Sequence, residues 1–66
     1  MDFFTAAPEE DEIGKRIDVY IAEYKEELSR SRVQKLIENG LVTVNGKAVK
    51  SNYKLRKGDI LEVEIP

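Results

Sequence analysis

The 66-residue chain contains no cysteine, no histidine and no tryptophan. Without Cys or His it cannot form a thiolate or imidazole metal site, a cysteine nucleophile or a Ser-His-Asp triad. Without Cys it also lacks the disulfides on which small extracellular domains depend, so the expected location is cytoplasmic. No apolar run approaches the ~18–20 residues a membrane helix requires, and no membrane partner is expected. There are four glycines and two prolines, with no Gly-rich phosphate loop and no internal repeat. The 13 acids are scattered without the spacing of a metal loop, so neither a metal nor a small-molecule cofactor is expected.

What is present describes a folded, water-facing domain. Charged residues make up 36% of the chain and hydrophobic ones 41%, a balance typical of globular rather than disordered sequences. A chain this short buries only ~60% of its unfolded surface and has little room for a deep catalytic pocket. A monomeric binding module is the expected class.

The net charge of −2 conceals a segregation. Residues 1–12 carry Asp2, Glu9, Glu10, Asp11 and Glu12 and no base, whereas residues 29–57 carry Arg30, Arg32, Lys35, Lys47, Lys50, Lys54, Arg56 and Lys57 against Glu38 alone. Eight bases and one acid leave a local charge of +7, and a partner feels that local field rather than the average. An anionic partner follows. The acidic stretch could compete with such a partner for the basic one.

Residues 1–12 lack periodicity and are expected as an acidic, mostly flexible tail, with residues 13–66 forming the domain. Phe3 and Phe4 leave two options open, an added edge strand or no structure. Ile13, Ile17, Tyr20, Ile21 and Tyr24 form one stripe of a 3.6-residue period, predicting a helix from Gly14 to about Glu26 with Asp18 off the stripe. Ser29 is a natural N-cap for a second helix that runs to Asn39, buries Val33, Leu36 and Ile37, and is closed by Gly40. Asn45-Gly46 between Val42-Thr43-Val44 and Lys47-Ala48-Val49 predicts a hairpin with a type I′ turn. Lys57-Gly58-Asp59 is a further turn, with Asp59 ordinary there. Leu61, Val63 and Ile65 then alternate with acids as in a half-buried strand. The order α-α-β-β-β implies an α+β domain with a helical hairpin on one side of a small sheet.

The second helix opens Ser29-Arg30-Ser31-Arg32 and continues to Gln34-Lys35. Bases in a first turn oppose the helix dipole at a cost of ~0.3–1 kcal/mol each, so two arginines without an acid point to an external anion. Free N–H groups and serine hydroxyls add donors there, and guanidiniums grip phosphate bidentately. With Val33, Leu36 and Ile37 facing the core, Arg32 and Lys35 fall on one flank and Arg30 and Gln34 on the other. Arg30 and Arg32 could alternatively pair with acids of the first helix or the tail, and Arg16 could join the patch or pair with Asp18 or Glu12. Lys47, Lys50, Lys54 and Lys57 are secondary candidates for phosphate contact. Tyr20 and Tyr24 belong to the core stripe, while Tyr53, among lysines, is a candidate stacking platform for a base. No catalytic site is evident.

Gly14-Lys15-Arg16-Ile17-Asp18, Ser29-Arg30-Ser31-Arg32 through Leu36-Ile37-Glu38-Asn39-Gly40, Val42-Thr43-Val44-Asn45-Gly46-Lys47 and Lys57-Gly58-Asp59 with its strand together resemble the S-four (S4, or alpha-L) RNA-binding domain. The doubled Ser-Arg and the acidic lead-in are most similar to the N-terminal domain of large-subunit ribosomal RNA pseudouridine synthases. The resemblance implies a helical hairpin on a small bent sheet, docking on structured, preferentially ribosomal, RNA through backbone and shape. It sets Arg30 at the family's helix-start arginine, Gln34 and Lys35 at its basic or amide positions, and Arg16 at its first-helix basic position. The full expected RNA-binding set is Arg16, Ser29, Arg30, Ser31, Arg32, Gln34, Lys35, Lys47, Lys50, Lys54 and Lys57. A synthase of this kind also needs a separate catalytic domain with an essential aspartate, so these residues alone are expected to be inactive. The alternative is a stand-alone RNA-binding or protein-docking module with no linked enzyme.

Overall fold

The computed structural model describes residues 2–66. Its chain order is β1 (Asp2–Ala6), a 3-10 turn (Glu10–Glu12), α1 (Ile17–Tyr24), α2 (Arg30–Glu38), β2 (Val42–Val44), β3 (Lys47–Ala48) and β4 (Leu61–Ile65). The strands form one antiparallel sheet in the order β1-β4-β2-β3. The α+β arrangement of two helices and a small antiparallel sheet agrees with the expectation from sequence.

Alternation builds the sheet. Leu61 and Val63 of β4 are buried while Glu62 is exposed, and β2 matches them in register, Val44 opposite Leu61 and Val42 opposite Val63. Ile17 and Ile21 of α1 and Val33, Leu36 and Ile37 of α2 close over that apolar face. Phe3 and Phe4 resolve to the strand option. β1 pairs along the free side of β4, with Phe4 opposite Val63 and Ala6 opposite Leu61, so both extend the core. Much of the lead-in expected as flexible tail thus lies in regular elements; residue 1 lies outside the described residues. The 3-10 turn is a reciprocal cap between Glu9 and Glu12.

Local signals placed the second helix and the hairpin. The Ser29 hydroxyl accepts from the Arg32 N–H at 3.2 Å, capping α2, which is worth about 1 kcal/mol. At the other end the Gly40 N–H donates to Ile37 and the Leu41 N–H to Leu36, a Schellman closure with Gly40 at φ +75°. Asn45 and Gly46 sit at φ +52° and +83°, as a type I′ turn requires.

The first helix is shorter than its apolar stripe. Residues 14–16 leave a turn at Gly14 and lie against residues 53–55: the Gly14 N–H donates to Leu55, the Leu55 N–H to Lys15 and the Ile17 N–H to Tyr53, at 2.8–3.0 Å. That pairing takes the backbone groups a helix would use, so α1 starts at Ile17 and leaves Ile13 40% exposed. Tyr20 is buried, but Tyr24 is half exposed in the middle of an aromatic stack, 5.4 Å from Phe4 and 5.9 Å from Tyr20. Among the described residues no helix is long and apolar enough to cross a membrane.

Candidate nucleic-acid interface

Asp18 lies inside the domain rather than on the solvent side of α1. Its side chain is fully buried, and it gathers donors from α2, from α1 itself and from Arg16 just before α1. Arg16 grips it bidentately, Nε to Oδ1 at 3.2 Å and Nη2 to Oδ2 at 3.0 Å. Gln34 of α2 donates to Oδ2 at 3.0 Å, and the Val19 N–H donates to Oδ1 at 2.8 Å. Burial by itself would raise the Asp18 carboxyl; the donors from Gln34, Val19 and Arg16 outweigh it and hold the group below its usual value. Arg30 Nη2 lies 3.8 Å from the same Oδ2, within Coulombic reach but beyond hydrogen-bonding distance. Asp18 therefore draws Arg16, Arg30 and Gln34 together while leaving the Arg30 donors free for another acceptor.

Arg16 has a second neighbour. It forms an isolated antiparallel bridge with Lys54, and the flanking hydrogen bonds, Ile17 to Tyr53 and Leu55 to Lys15, make this a non-hydrogen-bonded pair. Side chains at such a pair approach most closely, and like charges there are destabilising. Asp18 offsets that repulsion only on the Arg16 side, and Lys54 makes no ion pair among the described residues.

A second buried carboxylate fixes the other basic loop. Asp59 accepts from the Tyr53 hydroxyl at 2.7 Å, the Arg56 N–H at 2.9 Å and Asn45 Nδ2 at 3.1 Å. Here too burial would raise the carboxyl, and Tyr53, Arg56 and Asn45 together hold it below the usual value. Asn45 completes the link by accepting from the Ile60 N–H at 3.0 Å. Asp59 is thus a tie between the β2–β3 turn and the loop bearing Lys54, Arg56 and Lys57, not an ordinary turn residue. Tyr53, the candidate stacking platform, is half-buried with its hydroxyl committed to Asp59.

The candidate residues fall into neighbouring groups. Arg16 and Lys50 line a groove between the end of α2 and residues 48–52, and Lys54 stands opposite Arg16. Ser29, Ser31, Arg32 and Lys35 line a separate groove with Leu36 and Pro66 on the other flank of α2. Lys47 shares a third with Tyr53 and Arg56, a base absent from the expected binding set although the charge count included it. Lys57 is exposed at its turn and lines none of the three. Of the 11 lysines and arginines, only Lys15, Arg16, Lys25 and Arg30 pair with acids among the described residues. The other seven are free of acid partners among the described residues. Among the described residues no acid of residues 2–12 forms an ion pair with a base of residues 29–57.

Comparison with known proteins places this geometry in a family. The family model described as the S4 domain matches residues 15–61. The chain is 42% identical over 57 residues to the uncharacterized RNA pseudouridine synthase YlyB of Bacillus subtilis (strain 168), covering 86% of this chain and 19% of that protein. It is 51% identical over 55 residues to the uncharacterized RNA pseudouridine synthase slr1629 of Synechocystis, covering 82% and 17% respectively. With the ribosomal large subunit pseudouridine synthase C of Vibrio parahaemolyticus it shares 33% identity over 55 residues, 83% of this chain and 18% of that one. The chain spans under a fifth of the length of these relatives. Helical hairpin, small sheet and family match coincide, and the chain belongs to the S4 domain family, an RNA-binding fold.

Proposed function

We propose that this domain docks on folded RNA, ribosomal RNA in the first place, as the N-terminal targeting domain of a pseudouridine synthase. The observation that carries the reading is the set of seven bases without acid partners, six of them within residues 32–56 and Lys57 beside them. Arg32 and Lys35, with the Ser29 and Ser31 hydroxyls, take phosphate on one flank of α2. Arg16, Arg30 and Gln34, held by Asp18, take it on the other. Lys47, Lys50, Lys54 and Lys57 supply outlying contacts. Phosphates and 2′-hydroxyls account for most of the affinity, as is usual for recognition of structured RNA. The names of the relatives support the link to uridine isomerisation. That chemistry is assigned to a catalytic domain beyond these residues, and the domain described here contributes position, not bond making.

Fluorescence anisotropy with labelled, structured ribosomal RNA fragments tests this. If about five phosphates are neutralised, log K falls with log salt at a slope of about −3.5 to −4.5. Arg30→Ala and Lys35→Ala each weaken binding and leave the circular dichroism spectrum unchanged. Unaltered affinity in both variants would remove the proposed surface.

A further inference from the structure

Helix α2 opposes its own macrodipole at its start and carries mixed charge at its end. Its first turn holds Arg30 and Arg32 and no acid, and its last turn holds Lys35, where a cation is favoured, but closes on an acid, Glu38. RNA binding accounts for the arginines but not for Glu38. It is the one acid in residues 29–57, it makes no ion pair among the described residues, and its charge repels phosphate. It lines the groove that holds Arg16 and Lys50, together with Val49, Ser51 and Asn52.

We propose that this groove receives one unpaired base of the bound RNA, and that the base is guanine. The inference deepens the RNA-docking reading and rests on it. A carboxylate that repels a phosphate accepts hydrogen bonds from an uncharged base, and Val49 offers an apolar wall for the ring. A carboxylate can only accept, with two oxygens side by side. Guanine alone presents two neighbouring donor groups on its Watson–Crick edge, N1–H and the 2-amino group; adenine, cytosine and uracil each present one. Guanine also carries the O6 and N7 acceptors suited to Arg or Lys, the roles open to Arg16 and Lys50. Unstacked bases in loops and bulges are the usual targets of such reading in RNA. Arg16 enters the groove already oriented by Asp18, so the cation side of the site is fixed before RNA arrives.

The test uses fluorescein-labelled RNA hairpins of constant stem with a single bulged nucleotide, G, A, C, U or inosine, titrated by anisotropy against the wild type and Glu38→Gln. The G-bulged hairpin is expected to bind about tenfold more tightly than those with A, C or U, a discrimination that one good bidentate pair supplies. Inosine, which lacks the 2-amino group, should fall between them. Glu38→Gln should level the series while affinity for the A-bulged hairpin stays the same or rises, since a repulsive charge has gone. Equal wild-type affinity for all four standard bulges, or a G preference that survives Glu38→Gln, overturns the guanine site and leaves the basic surface standing. Failure of every hairpin to bind at low salt overturns both.

Discussion

Asp59 accepts hydrogen bonds from Asn45, Tyr53 and Arg56, and Asp18 from Arg16, Val19 and Gln34. Each ties chain segments that would otherwise move independently, and the segments they tie include α2 and the loop bearing Lys54 and Lys57, both carrying proposed RNA contacts. Both carboxyls are held below their ordinary value in the folded state. Their stabilisation is therefore complete above the unfolded value of about 3.9 and is lost as pH falls through the lower, folded one. Thermal midpoints followed by circular dichroism should drop from about pH 5 downward. Asp59→Asn should cost about 1–3 kcal/mol near neutral pH by setting an amide N–H against the donors that Asp59 satisfies. It should also flatten the acid limb; an unchanged limb would assign the acid loss to other groups. The Arg16–Asp18 pair was one of the options left open by the sequence, but the distant partners of neither aspartate were legible there. The partners of Asp18 include Gln34, and those of Asp59 include Asn45, 16 and 14 residues away respectively. No periodicity encodes such contacts. Ser29 and Asn45-Gly46, by contrast, act on their immediate neighbours, and a local rule finds them.

Among the elements, α2 concentrates the conflict between stability and function. A helix optimised for its dipole would begin with acids, and this one begins with two arginines and no acid; its last turn holds Lys35 but ends on Glu38. Arg32→Glu is accordingly expected to raise helix stability by about 0.3–1 kcal/mol, a shift of a few degrees in midpoint. RNA affinity should fall in the same variant, through loss of one cation and gain of one anion at the helix start. A variant that loses both stability and binding would mean that Arg32 is structural. The misplaced charges of α2 stand out in the sequence because its boundaries do. The start of α1 does not, since pairing of residues 14–16 with residues 53–55 overrides a stripe that ran on to Ile13. Tertiary pairing beat local period there, and the same pairing brings Arg16 opposite Lys54.

At the scale of the whole molecule, β1 covers one side of β4 while β3 lies at the far end of the sheet. Removing residues 1–7 would strip Phe4 and Ala6 from the core and turn the apolar β4 into an open edge. A lower melting temperature and self-association that grows with concentration in size-exclusion chromatography are expected. RNA affinity should be retained, because none of the proposed contacts lies on β1; a large loss would place RNA on that side of the sheet. The strand could not be decided from Phe3 and Phe4 alone, because its partner lies some sixty residues along the chain.

The pairing of Asp2 with Ile65 also sets how the domain responds to tension. The first and last residues of the sheet are neighbours at one end of the β1–β4 ladder, whose hydrogen bonds run perpendicular to the strands. A pull between those two residues loads the ladder one rung at a time, as in opening a zipper, rather than shearing all rungs together. Under such a load β1 parts from β4 first, while the helical hairpin and its Asp18 junction lie outside the line of force.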